Sequence, residues 1–140
     1  MGLRSIVITN QAAVGRGLLT QEQLSSIHRH MTSHITEAGG VIERIYVCTH
    51  TPNANCDCRK PATELFRRAS QELGIELGGS IMIGDSRSDV EAAHAIGGLA
   101  ILVAENGEAR SDNGVSVVRD LAEAVSLIPE LQRIREAGRC

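Results

Sequence analysis

Four residues able to bind a soft metal ion lie within residues 48–58: Cys48-x-His50 and Cys56-x-Cys58. Three thiolates and one imidazole are the ligand set of a closed tetrahedral structural zinc site. Pro52, Asn53 and Asn55 between the halves supply the turn chemistry that folds such a loop back on itself. The alternative is a loop of reduced cysteines, which would oxidise readily. A second group is spread along the chain: Thr9 and Asn10, Arg16, Lys60, Asp85 and Asp89. A hydroxyl, an amide, two cations and two carboxylates suit a phosphate-plus-divalent-metal site, in which the cations hold a dianion and carboxylate oxygens hold Mg²⁺. Taken singly, a strand-end Thr-Asn is also a common turn and a Gly-Asp a common helix cap.

These residues need elements to position them. Residues 5–9 (SIVIT) read as a buried strand, followed by a loop punctuated by Gly15 and Gly17. Thr20 with Gln23 forms a capping box for a helix whose Leu24, Ile27, Met31, Ile35 and Ala38 recur at helical spacing, stopped by Gly39-Gly40. Residues 41–47 form a second strand, and Pro61 suits the first turn of a helix carrying Leu65, Phe66, Ala69 and Leu73. Residues 80–83 form a third strand, leading through Gly84-Asp85 into a helix bearing Val90, Ala93 and Ile96. A fourth strand at Leu99–Val103, a polar loop, a weak fifth strand at Val115–Val118 and a helix over residues 120–128 complete the chain. Strands alternating with helices predict an α/β fold: a three-layer, Rossmann-like parallel sheet with helices on both faces, in one domain over residues 1–140 with a small metal loop at 48–58. Ligands of such sheets sit beyond the carboxyl ends of the strands, where the phosphate-type residues all fall and can converge on one crevice.

Composition narrows the function classes. With one Phe, one Tyr and no Trp, base-stacking platforms are absent, and a net charge of -3 lacks the basic stripe of a nucleic-acid binder. No apolar run approaches the ~20 residues of a membrane span, and no signal peptide is expected. Clustered Cys48, Cys56 and Cys58, with Cys140 apart, point to a reducing compartment and a cytoplasmic protein rather than a disulfide framework. His28, His30 and His34 read as a solvated helix face, as does His94.

The order of these segments resembles the haloacid dehalogenase superfamily. ITNQAAVGRG is similar to its second motif, with Thr9 as the phosphate-binding hydroxyl; CRKP to its third, with Lys60 as the cation; and IMIGDSRSD to its fourth, with Asp85 and Asp89 as the acidic metal pair. The likeness spans residues 5–103 and is strongest to the branch of histidinol-phosphate and heptose-bisphosphate phosphatases, which share the TNQ…GRG loop and a zinc loop before CRKP. It implies that Arg59 contacts substrate, together with Thr9, Asn10, Arg16 and Lys60 at the phosphate.

The superfamily's first motif, a strand ending in Asp-x-Asp that supplies the nucleophile, the general acid and part of the Mg²⁺ shell, has no counterpart here, because no Asp precedes Thr9. The chain reads as N-terminally truncated relative to that pattern. The expectation is hydrolysis of small phosphomonoesters (histidinol phosphate, a sugar phosphate or a phosphoserine-like substrate) at reduced rate, with Asp85, Lys60 and Thr9 as the catalytic groups and Mg²⁺ weakly bound. The alternatives are an inactive phosphate-binding pseudoenzyme or a fragment. The absent strand would sit between the strands ending at Thr9 and Ile83, so a homodimer covering the two free edges is expected.

Overall fold

The computed structural model describes residues 2–106, 110–112 and 114–138; Cys140 lies outside them. Two compact units divide the chain at Leu73 and Gly74.

In the first unit, β1 (Ile6–Asn10) pairs in parallel with β2 (Arg44–Cys48), in a register that sets Ile6 against Arg44 and Asn10 against Cys48. Both strands start and end one to three residues later than expected, the parallel pairing running from Ile6 and Arg44 to Asn10 and Cys48. A single helical turn, α1 (Ala12–Gly15), occupies the segment expected to be loop. The next helix, α2 (Gln21–Glu37), opens with the expected capping box: the Gln23 amide donates to Thr20 Oγ1 at 3.1 Å, and Thr20 N–H donates to Gln23 Oε1 at 2.8 Å. Of its apolar positions only Leu24 is buried, and Ile27 is exposed. A two-stranded sheet offers little surface for a helix of 17 residues to cover.

The third helix, α3 (Glu64–Leu73), begins three residues after Pro61 rather than at it. The Lys60–Pro61 peptide is cis and the Ala62 amide bonds to the Arg59 carbonyl at 2.9 Å, so Pro61 belongs to a turn and not to the first helical position. Leu65, Phe66 and Ala69 of α3 are buried, as are Tyr46 and Cys48 of β2. The Tyr46 hydroxyl donates to Glu72 Oε2 at 2.8 Å and Arg44 reaches the same oxygen at 3.1 Å, which fastens β2 to α3, while Arg68 within α3 holds the other carboxylate oxygen at 3.1 Å.

The second unit holds a four-stranded sheet ordered β3-β4-β6-β5: β3 (Ile81–Gly84), β4 (Leu99–Val103), β6 (Val115–Val118) and β5 (Arg110–Asp112). The first three are parallel; β5, which falls in the segment read as polar loop, pairs antiparallel with β6. Gly114 at φ +80° lies just before β6, where a side chain would be strained. The strand period of two sends Ala100 and Leu102 into a cluster with Ala93 and Val90 of α4 (Arg87–Ala95), and Ile101 and Val103 into another with Ala124, Leu127 and Leu131 of α5 (Leu121–Ala137). Helices thus cover both faces of this sheet. The last helix runs past residue 128 because Leu131 extends its packed stripe, so the missing N–H of Pro129 does not end it.

Candidate metal and phosphate sites

The metal loop is built on the end of β2. Cys48 is its last residue and 1 % exposed; the chain then makes a 3-10 turn at Pro52–Ala54 and returns through Asn55. Asn55 takes a left-handed φ of 50°, a conformation that Asn tolerates better than most residues. Cys48 Sγ and Cys58 Sγ each lie 3.6 Å from Cys56 Sγ; His50 Nδ1 lies 3.6 Å from Cys48 Sγ and 3.2 Å from Cys58 Sγ. All four ligand atoms fall within 4.8 Å of one another, the one group of its kind among the described residues. Tetrahedral zinc with the usual bond lengths needs edges of ~3.8 Å between sulfurs and ~3.5 Å from nitrogen to sulfur, so the observed spacing fits that ion. Burial, then hydrogen bonds with Cys48 and Cys56, push the Cys58 thiol up to about 12. Burial also acts to raise Cys56, but hydrogen bonds from Cys58, the Arg59 backbone and Cys48 outweigh it and bring this thiol down to about 7. Neighbouring thiols cannot all ionise together without a cation among them.

Beside this loop, β1 ends in Thr9 and Asn10. Thr9 Oγ1 accepts from Gln11 Nε2 at 3.0 Å, and the Gln11 amide donates to the Cys48 carbonyl at 2.7 Å. Lys60 is buried, its Nζ donating to the Ile8 carbonyl at 2.7 Å. Asn10 bonds to Lys60 twice, through Nδ2 to its carbonyl at 3.2 Å and through Oδ1 from its amide at 3.0 Å. Thr9, Asn10 and Lys60 are thereby brought together at the carboxyl end of β1. Arg59, one residue earlier, has its Nη1 buried with no hydrogen-bond partner among the described residues, as expected of a donor awaiting a ligand. Arg16 follows α1 as its C-cap and is exposed.

Asp85 and Asp89 belong to the second unit, after β3. Asp85 is exposed; Asp89 is 4 % exposed, its Oδ2 accepting from the Ser86 amide at 3.1 Å and the Ser86 hydroxyl at 2.9 Å. The sequence reading missed what holds this carboxylate. A Cβ on Gly84 would lie 2.2 Å from Asp89 Oδ2, and one on Gly15 would lie 2.5 Å from the Thr49 carbonyl oxygen. Both glycines are therefore required by close approach, a constraint that spacing alone does not announce. The His30 and His34 rings lie 4.4 Å apart between centroids, tilted by 59°, on an exposed stretch of α2.

Parallel β/α units with polar and charged side chains at their strand ends place this chain among α/β folds that bind ligands beyond the carboxyl ends of their strands. The family model described as HAD-hydrolase-like matches residues 57–124. The D-glycero-beta-D-manno-heptose-1,7-bisphosphate 7-phosphatase of Yersinia pestis is 32% identical over 139 residues, covering 89% of this chain and 74% of that protein. The probable D-glycero-D-manno-heptose-1,7-bisphosphate 7-phosphatase of Thermoplasma volcanium is 37% identical over 94 residues, 67% of this chain and 64% of its own length. The crystal structure of D,D-heptose 1,7-bisphosphate phosphatase from B. bronchiseptica, complexed with magnesium and phosphate, superposes with a TM-score of 0.78 at 32% identity, over 91% of this chain and 75% of that one. The chain belongs to the haloacid dehalogenase-like hydrolase family, in the branch of these heptose-bisphosphate phosphatases, and spans 64–75% of the length of the three relatives.

Proposed function

We propose that this chain is a phosphomonoesterase acting on small phosphorylated metabolites, sugar phosphates foremost, with the phosphate held at the carboxyl end of β1. The observation that carries this is Lys60, buried, with its ammonium on the Ile8 carbonyl and its backbone amide on Asn10, the two neighbours of Thr9 in β1. A cation held in place by the fold, with a hydroxyl and the Arg59 guanidinium nearby in sequence, stabilises charge that develops on a transferring phosphoryl group, often the largest single contribution in such catalysis. Asn10, and Arg16 beyond α1, are the further residues assigned to the phosphate in this reading. Asp85 and Asp89 are the carboxylates to hold Mg²⁺, which when bound would neutralise phosphate charge and orient the ester. Asp85, the exposed one, is the group of this chain to take a proton from the attacking water. Similarity to a phosphatase crystallised with magnesium and phosphate supports the same reading.

Zinc in the Cys48, His50, Cys56 and Cys58 loop has a structural part: with all four positions filled by protein, it leaves none for substrate. A thiol cluster of this kind suits the reducing cytoplasm, and among the described residues no helix is long and apolar enough to cross a membrane. Neither β1 nor β3 has a second strand partner among the described residues, and neither contains Pro or a charge to protect its open edge. A second copy of the chain is the proposed cover for these edges. Turnover of p-nitrophenyl phosphate and of small sugar phosphates, with and without Mg²⁺, tests the function. A Mg²⁺-dependent rate that survives Asp85→Asn unchanged would overturn it.

A further inference from the structure

Asn10 ends β1 among residues whose chemistry suits phosphate, yet both polar atoms of its side chain are bonded to the Lys60 peptide. The Lys60 amide can only donate and the Lys60 carbonyl can only accept, so the carboxamide facing them is fixed in one orientation, Oδ1 to the amide at 3.0 Å and Nδ2 to the carbonyl at 3.2 Å. The same lysine then runs back along the strand, its Nζ reaching the Ile8 carbonyl at 2.7 Å. Lys60 is thereby attached to β1 at both ends, by its backbone at residue 10 and by its tip at residue 8. Asn10 itself is fixed from the other side. It is in register with Cys48, and the next amide, Gln11, bonds to the Cys48 carbonyl at 2.7 Å.

We propose that Asn10 is a positioning residue for Lys60, a side chain that clamps the peptide of the cation rather than a ligand of the phosphate. This rests on the reading of Lys60 as the cation of the phosphate site, and it changes the part Asn10 plays there. The segment around Lys60 has no strand or helix of its own: it is a turn closed by the Ala62 amide and the Arg59 carbonyl, next to the cis Lys60–Pro61 peptide. With no regular ladder to satisfy the amide and carbonyl of residue 60, a side-chain amide is the group of complementary donor and acceptor that can take both. A cation on such a turn is preorganised only as well as the turn is held.

The test uses the full 140-residue chain and reads amide hydrogen exchange at Lys60 by NMR, beside titration with inorganic phosphate. In the unsubstituted protein the Lys60 amide is protected; rapid exchange there would overturn the clamp without any variant. Asn10→Ala is expected to speed Lys60 exchange about tenfold or more and to weaken phosphate binding about tenfold, the effect of one hydrogen bond each. Asn10→Asp keeps the acceptor for the amide and is expected to leave Lys60 exchange within about threefold of the unsubstituted protein. Phosphate binding lost in Asn10→Ala with Lys60 exchange unchanged would make Asn10 a direct ligand and refute the proposal. If the unsubstituted chain binds no phosphate, the functional reading of Lys60 fails, while the exchange data still decide what Asn10 holds.

Discussion

Replacing Gly84 by Ala tests how the acidic end of β3 is built. The added Cβ would lie 2.2 Å from Asp89 Oδ2, 2.4 Å from its Cγ and 2.5 Å from its Cβ, so no rotamer of the buried aspartate relieves the contact. Either β3 or the first turn of α4 must move. Moving Asp89 gives up its bonds from the Ser86 amide and hydroxyl, at 3.1 and 2.9 Å. Hydrogen bonds to a charged group contribute ~1.5–3 kcal/mol each, and overpacking a filled site costs ~1–3 kcal/mol. Because these losses share one cause they do not add in full, and a total of about 3 kcal/mol is expected, a large part of the ~5–15 kcal/mol that stabilises an ordinary domain. Thermal melting should show it as a drop of roughly 10–25 °C. The double variant Gly84→Ala with Asp89→Gly removes all three clashing atoms, at about 1 kcal/mol for glycine in a helix, and should be more stable than the sum of its parts predicts. A Gly84→Ala protein melting within about 3 °C of the unsubstituted chain, a change worth under ~1 kcal/mol, would refute the packing argument.

Elemental analysis should find one zinc per chain, and Cys48→Ser, in the buried ligand, should abolish it and expose the loop to proteolysis; a metal-free protein as stable as the zinc-loaded one would contradict the structural part given to the ion. Acid should loosen the first unit. Hydrogen bonding to Arg4 holds the Glu43 carboxyl below its ordinary carboxylate value, and hydrogen bonds from Tyr46 and Arg68 do the same for Glu72. A lowered folded-state pKa contributes stability that is present above the unfolded value and lost as pH falls through the folded one, so melting temperature should decline below pH ~4.5 and Glu72→Gln should flatten that decline. Light scattering at micromolar concentration should give twice the 15.0 kDa chain mass; the mass of one chain would exclude a second copy as cover for the strand edges.

The metal loop was legible because its information is local. Four ligands within residues 48–58 and turn formers between them already dictate a fold-back, and the structure sets their atoms within 4.8 Å. The strands were legible for a related reason, since β-branched runs such as IVIT and ILV have few other ways to be buried. Misreadings fell where tertiary contact overrode a local signal. Pro61 reads as a helix start but is held in a turn, and the last helix, expected to end at residue 128, continues through Pro129 as its packed stripe reaches Leu131.

The sequence by itself thus determined the α/β class, the Cys and His ligand set and the residue types available to meet a phosphate, because each is a matter of side-chain chemistry and short-range period. What tertiary structure decided was how those side chains are used. Asn10 and Lys60 are 50 residues apart, and only folding shows that the carboxamide is engaged by the lysine peptide. Gly15 and Gly84 look like loop punctuation until a carbonyl oxygen and a buried carboxylate are found in the space a Cβ would take. A hydrogen bond or a steric exclusion belongs to a pair of groups, and a linear sequence names the members without saying which of them meet.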